Sequence, residues 1–375
     1  MGEPLMSASP QTQAILDALA ANHNVVLTGP PAVGKTHLMQ EVADAFMAVS
    51  ATAVPNVPQS STGPIAIPAA APTGSAGASV PSPSRSQRYV DRIAFSANTK
   101  HRDFTSAYVP VVGGAGGMSF RVETGALIRA NEAALNGAAS LLVIDELNRG
   151  PAVQLFGDGI VAIDTSKRLK DDDTVGTNSF PMQVLDASGN TSKVHLSNHL
   201  YILCSMNQAD TSIEPLDVAF LRRFLPLKIE PSLDIARHYL NASGASSSLG
   251  ASASSSGEVT EALVRAWEKV NSRIVNGRSE DFQIGHGIFM DHPAPASVHD
   301  ASAAAVGWWK KIEAHTMEVF YGDSIGAGVV LNAGNDTAGY RLVNASFGDD
   351  ERQKIVAPAV GEQNIYELLL RVAGS

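Results

Sequence analysis

Residues 24–46 read NVVLTGPPAVGKTHLMQEVADAF, and no other segment of the chain restricts its fold as tightly. Val25, Val26 and Leu27 form the short apolar run that a buried parallel strand needs. Leu38, Met39, Val42, Ala45 and Phe46 recur at helical spacing, giving the following helix one apolar face. Between them, Gly29-Pro30-Pro31-Ala32-Val33-Gly34-Lys35-Thr36 fits G-x-x-x-x-G-K-[ST] at every fixed position, the pattern of a P-loop. Backbone N–H groups wrap a phosphate chain only where side chains do not intrude, and Gly29 and Gly34 supply that clearance. The helix N-terminus adds favourable potential for an anion. Lys35 would reach the β- and γ-phosphates as a point charge, and the Thr36 hydroxyl would take a place on Mg²⁺. The expected nucleotide contacts are therefore Gly29, Pro30, Pro31, Ala32, Val33, Gly34, Lys35, Thr36 and His37.

A second apolar run answers the first. Leu141-Leu142-Val143-Ile144 leads directly into Asp145-Glu146, as a Walker B segment requires: a buried strand that delivers two carboxylates beside the P-loop. Asp145 would hold Mg²⁺ through its water shell, and Glu146 would orient and deprotonate an attacking water. A third run, Tyr201-Ile202-Leu203-Cys204, ends near the polar residue Asn207. The lone cysteine, Cys204, has no partner for an internal disulfide and reads as a small buried hydrophobe.

With 375 residues, 44% of them hydrophobic, the chain suits one large domain and a smaller one. A net charge of −10 argues against a generally basic nucleic-acid-binding surface. With no apolar run of membrane-spanning length and no leader-like N-terminus, the expectation is a soluble, intracellular protein with no membrane partner. Ser9-Pro10 should cap a helix whose apolar residues are Ile15, Leu16 and Leu19, placed to cover a nucleotide base. Residues 51–86, rich in Ala, Pro, Ser, Thr and Gly, read as a disordered insertion. A strand follows in YVDRIAFSA, then a Gly-rich loop, a short strand and a helix from about Ala126; residues 151–164 read as one helix. FPMQVLDASGNTSKVHL reads as a β-hairpin, and KRLKDDD as a solvated turn. Beyond residue 230 come a low-complexity stretch at 242–257, the helical pattern ALVRAWEKVNSRIV, a hairpin in VLNAGNDTAGYRLVNASF and a terminal helix in EQNIYELLLRVAG.

These motifs together resemble the AAA+ superfamily, and within it the McrB branch of the dynein-related AAA proteins. The resemblance is carried by GPPAVGKT, LLVIDELNRG, MNQAD, LDVAFLRRF and EDFQIGH, in that order, with support from HRDFTSAYVP and GWWKKIEAHTMEVF. It implies an α/β P-loop domain with a central parallel sheet flanked by helices over residues 1–230, then a small, mainly helical lid over 231–375. It also implies a ring, commonly a hexamer, with nucleotide at each junction and a protein partner such as a nuclease subunit. In that frame Asn207 is the sensor, and Arg222 or Arg223 is the finger offered to a neighbouring subunit's nucleotide. His286 stands at the lid's nucleotide-sensing place, against the ordinary role of a structural hydrogen-bonder.

Two departures shape the functional expectation. Thr211 occupies the place where McrB relatives usually carry arginine, and no Asp or Glu lies within 22–34 to receive guanine's N1–H and N2–H₂. ATP is therefore the expected nucleotide, with an McrB-like GTPase the alternative. The P-loop starts so near the first residue that no dedicated DNA-binding domain is expected ahead of it. The leading function is a Mg²⁺-dependent nucleoside triphosphatase that remodels or drives a partner. A nucleotide-gated scaffold with little turnover would need only the binding residues, and a P-loop phosphotransferase would need an acceptor-binding lid.

Overall fold

The computed structural model of the chain describes residues 9–49, 79–112, 118–209, 216–348 and 350–374. By its contacts the chain divides into two compact units, Met1–Thr28 with Lys35–Lys228, and Gly29–Gly34 with Ile229–Ser375. The P-loop glycine segment thus groups with the C-terminal unit, where a division at 230/231 would have left it in the first.

The first unit runs α1 (Pro10–Asn22), β1 (Asn24–Thr28), α2 (Lys35–Ala48), β2 (Arg88–Ala94), α3 (His101–Phe104), β3 (Ser106–Val112), β4 (Met118–Thr124), α4 (Ala126–Leu135), β5 (Ala139–Asp145), α5 (Ala152–Phe156), α6 (Gly159–Ala162), β6 (Met182–Leu185), β7 (Thr191–Val194), β8 (Leu200–Ser205), α7 (Val218–Leu221) and β9 (Leu225–Lys228). Five strands form one sheet in the order β2-β5-β8-β1-β9, every pair parallel. The register sets Leu27 beside Ser205, Ile144 beside Cys204 and Ala94 beside Asp145, so the C-terminal ends of β1, β8 and β5 share one edge. β1 is buried along its whole length, β8 likewise, and β5 until Asp145, which is why these strands read as continuous apolar runs rather than alternating ones. Burial also raises the Cys204 thiol pKa well above its usual value, which keeps it protonated and inert.

Local chemistry sets the helix ends. Ser9 caps α1 through Thr12 N–H at 3.2 Å with Pro10 in the first turn, and the Ser9 and Thr12 hydroxyls both reach Glu41 on α2. On α2 the buried face includes Ala43, while the expected Ala45 is half-buried. The helix expected over 151–164 is two short helices, because Gly157 at φ 49° turns the chain between α5 and α6. A ladder of phenylalanines links the small helices: Phe95, Phe104, Phe156, Phe220 and Phe224 meet edge-on or tilted, with successive centroids 5.3, 4.5, 5.0 and 5.3 Å apart. It fixes α7, which is too short to hold its shape unaided.

The expected disordered insertion needs correction. Residues 51–78 lie outside the described residues, but within 79–86 Pro81 and Ser82 are buried. Ser79 exchanges hydrogen bonds with Gln13 and Asp17 on α1, and Arg85 pairs with Asp173. Ser82, buried at φ 44°, places its hydroxyl 2.6 Å from His199 Nδ1 and 2.7 Å from the Tyr201 hydroxyl. The segment orders through buried polar partners, which a composition argument built on apolar content does not count.

The second unit contains α8 (Leu233–Leu240), α9 (Ser256–Gly277), α10 (Val298–Val319), α11 (Ser324–Val330), β10 (Arg341–Phe347), β11 (Asp350–Val356) and α12 (Ile365–Ala373). The antiparallel β10–β11 hairpin lies later in the chain than expected. Its core is aromatic: Trp267, Phe289 and Trp308 meet edge to face, and Trp309 donates to the Tyr340 hydroxyl at 2.9 Å. The stretch at 242–257 is not wholly an insertion, since 256 and 257 open α9. Ser255 caps that helix through Glu258 N–H, and Glu258 accepts from Ser254 N–H at 2.7 Å, close to a capping box. Among the described residues, no helix is long and apolar enough to cross a membrane.

Replacing Ser82 with Ala leaves the Tyr201 hydroxyl and the His199 ring short of a buried partner. The expected loss is about 1–3 kcal/mol, read as a lower Tm in a thermal melt. An unchanged Tm would show that the Ser82 hydroxyl adds nothing to the fold.

Candidate nucleotide site

The parallel register brings the Walker residues of the first unit together. Lys35 opens α2 and is buried; burial, partly offset by the carboxylates of Glu146 and Asp145, leaves its pKa lowered to about 8. Thr36 Oγ1 donates to Asp145 Oδ2 at 3.2 Å. The other carboxylate oxygen of Asp145 accepts from the Ser205 hydroxyl, at the end of β8. Glu146 follows at φ 54°, a left-handed conformation uncommon outside glycine, and its N–H reaches Ser205 Oγ and Asp145 Oδ1, each at 3.1 Å. An extended strand would send two adjacent carboxylates to opposite faces; with this turn both act on Lys35.

Asn207 Nδ2 lies 3.0 and 3.1 Å from the two oxygens of Glu146. Arg149, one turn on, places Nε 3.3 Å from Glu146 Oε2, and Asn148 donates to the Asn207 carbonyl at 2.8 Å. The candidate base is therefore held by a neutral amide and a half-exposed guanidinium. Ser205, Asn148 and Arg149 were missed as site residues by sequence reasoning. Ser205 carried a usable signal, since it ends a buried run two residues before Asn207.

Several of the remaining expected residues have partners of their own. Gly29–Gly34 falls in the second unit, where a Cβ on Gly29 (φ 138°) would lie 2.2 Å from the Ile229 carbonyl oxygen; Val33 is buried there. His37 is exposed and pairs with Glu41 at 3.4 Å, one helical turn on. Arg222 is exposed at the end of α7. Arg223 folds back, donating from Nη1 to the Ala219 carbonyl, while its own carbonyl accepts from Asn24 Nδ2 at 3.0 Å. Among the described residues, neither arginine bonds to the cluster around Glu146. Asp210 and Thr211 lie outside the described residues.

Mg²⁺ is implied by the motif pair, and the residues fit it. Thr36 and Asp145 bring a hydroxyl and a carboxylate within one hydrogen bond of each other, an all-oxygen set suited to a hard cation. When bound, the ion would neutralise phosphate charge.

A parallel five-stranded sheet in this order, with a G-x-x-x-x-G-K-T loop after β1 and an acidic pair ending β5, is an α/β P-loop architecture. In sequence the chain is McrB-like: it is 24% identical over 308 residues to the EcoKMcrB subunit of the type IV methyl-directed restriction enzyme of Escherichia coli K12. That match takes in 80% of this chain and 53% of the other, so the chain spans about half the length of this relative. A stretch of 85 residues is 34% identical to the YdiS component of the type II restriction enzyme BsuMI of Bacillus subtilis 168, covering 22% of this chain and 25% of that one. Among solved structures, NtrX from Brucella abortus aligns at TM-score 0.35 and 13% identity, over 88% of this chain and 65% of that one. C. elegans PCH-2 aligns at TM-score 0.30 and 12% identity, over 99% and 70%. No family model matches the chain.

Ser205→Ala removes the hydroxyl that holds Asp145 and receives the Glu146 N–H. Loss of such an outer partner typically weakens a metal site by about 10–100-fold, so the Mg²⁺ concentration needed for half-maximal nucleotide binding should rise in that range. A Mg²⁺ titration at fixed nucleotide checks it; an unchanged midpoint would remove Ser205 from the site.

Proposed function

We propose that the chain is a Mg²⁺-dependent nucleoside triphosphatase that works in a homo-oligomeric ring, a hexamer as the AAA+ resemblance implies, to drive or remodel a protein partner. The observation that carries the reading is the Glu146–Asn207 pair: a carboxylate oriented by an amide, next to Asp145, which accepts from Thr36 on α2. A scaffold that only binds nucleotide has no use for an oriented base.

In this reading Lys35 holds the β- and γ-phosphates, Thr36 and Asp145 hold Mg²⁺, and Asn207 keeps Glu146 aimed at the attacking water. Glu146 accepts the water's proton as its oxygen bonds to the γ-phosphorus; the bond to the β–γ bridging oxygen breaks and the diphosphate leaves. Glu146→Gln should therefore keep nucleotide affinity while nearly abolishing turnover. Affinity and hydrolysis measured on the same preparation test this, and turnover near that of the unchanged chain would take Glu146 out of the mechanism.

ATP is the nucleotide favoured here, since residues 22–34 offer no carboxylate for guanine. The similarity to the McrB subunit favours a second reading, a GTPase motor for a restriction nuclease partner. Steady-state hydrolysis of each nucleotide in competition decides between them; kcat/KM for GTP about tenfold above that for ATP, a difference of about 1.4 kcal/mol, would establish the second.

Of the two finger candidates, Arg222 is the one free to reach another subunit, because Arg223 spends its guanidinium on the Ala219 carbonyl. Arg222→Ala should slow hydrolysis by on the order of 10³-fold with the fold intact. Mixing it with Lys35→Ala should restore activity at junctions where an intact arginine meets an intact P-loop. If no mixing ratio restores activity, Arg222 does not act in trans.

A further inference from the structure

A phosphate loop must turn its N–H groups inward to the anion, which turns carbonyls outward, and those carbonyls need donors of their own. In the second unit the donors come from residues 285–287, Gly-His-Gly. Gly285 N–H donates to the Pro31 carbonyl at 2.9 Å, and Gly287 N–H donates to the Ala32 carbonyl at 2.7 Å. Ala32 itself sits at φ 60°, a left-handed conformation that persists in a non-glycine residue only where its surroundings hold it.

The approach is too close for any side chain. A Cβ on Gly285 would lie 2.1 Å from the Ala32 carbonyl carbon and oxygen, and one on Gly287 would lie 2.7 Å from that oxygen. Neither glycine has the positive φ that would otherwise explain its presence; close packing of backbone on backbone does.

The turn is anchored from behind. On α9, Trp267 Nε1 and Asn271 Nδ2 both donate to the Ile284 carbonyl at 2.9 Å, and Asn271 Oδ1 accepts from Ile284 N–H at 2.7 Å. His286, between the two glycines, is buried and accepts at Nδ1 from Ser232 N–H at 3.1 Å, at the start of α8. With Nδ1 accepting, the neutral ring carries its proton on Nε2. Burial lowers its pKa as well, so His286 is an uncharged strut rather than a charged sensor.

We propose that the Gly285-His286-Gly287 turn is a positioning site for nucleotide binding: it holds the outer carbonyls of the P-loop, so that the loop is shaped for phosphate before nucleotide arrives. This deepens the nucleotide reading above and rests on it. The three residues touch the loop, not the nucleotide, and act by preorganisation.

The test titrates the full chain with fluorescent ATP and GTP analogues in Mg²⁺, and records Tm without nucleotide for the same proteins. Gly287→Ala should raise Kd by about 10–100-fold, the scale of a small misplacement in a binding site, with the nucleotide-free fold retained. Gly307→Ala, on α10 where an added Cβ meets nothing within 4 Å, serves as the control and should bind as the unchanged chain does. Adding Ala32→Gly to Gly287→Ala should recover part of the loss, because a glycine at 32 lets the carbonyl move aside. Should Gly287→Ala fail to fold, His286 decides: His286→Asn keeps an acceptor near the Nδ1 position and should bind more tightly than His286→Ala. Failure of the unchanged chain to bind either analogue would overturn the nucleotide reading, and this inference with it. Binding by the unchanged chain that neither Gly287→Ala nor His286→Ala weakens, or that Gly307→Ala weakens equally, would overturn the inference alone.

Discussion

The parallel pairing of β1, β8 and β5 is the constraint on which the rest of the site depends. Because the three strands run the same way and in register, Leu27, Ser205 and Asp145 finish at a common edge. A slip of one residue would send each of these side chains to the other face of the sheet. Burial guards against it, since every residue of β1 and β8 is sequestered from water and a slipped strand would have to expose or repack that surface. Asn24 adds a polar lock at the other end of β1: its amide donates to the carbonyls of Ile163 and Arg223, and its oxygen accepts from the buried Arg168.

Hydrogen bonding then sharpens what register has placed. Ser205 holds Asp145 and the Glu146 N–H, Asn207 holds the Glu146 carboxylate, and Asn148 holds the Asn207 backbone. The strained backbone at Glu146 is affordable because these bonds over-determine it. The same logic recurs in the C-terminal unit, where Asn271 and Trp267 grip Ile284 and the following glycines grip the P-loop carbonyls. In both places a backbone that would not hold its shape alone is braced by side-chain amides.

Much of the fold was legible because buried parallel strands and amphipathic helices leave long, regular patterns. VVL, LLVI and YILC are three of the five strands of the sheet, and the Walker segments follow two of them. The hairpin of β6 and β7 was legible for a different reason, the turn Asp-Ala-Ser-Gly-Asn between alternating residues. Short elements escaped. α3, α5 and α7 are held by the phenylalanine ladder, whose members lie up to 129 positions apart in sequence between Phe95 and Phe224. The capping signal at Ser255 was hidden by the serines around it.

The P-loop, the Walker B acids and the apolar strands that carry them were determined by the sequence alone, because each is a local pattern whose chemistry follows from residue type and spacing. Tertiary structure decided what lies between patterns. It ordered residues 79–86 through Ser82 and Arg85, turned Arg223 onto its own helix while leaving Arg222 exposed, and brought Gly285 and Gly287 against the carbonyls of Pro31 and Ala32. The first and the last of these depend on hydrogen bonds closed between residues far apart in the chain. Such bonds have no period and no fixed spacing, so nothing in a linear reading distinguishes the residues that form them from their neighbours.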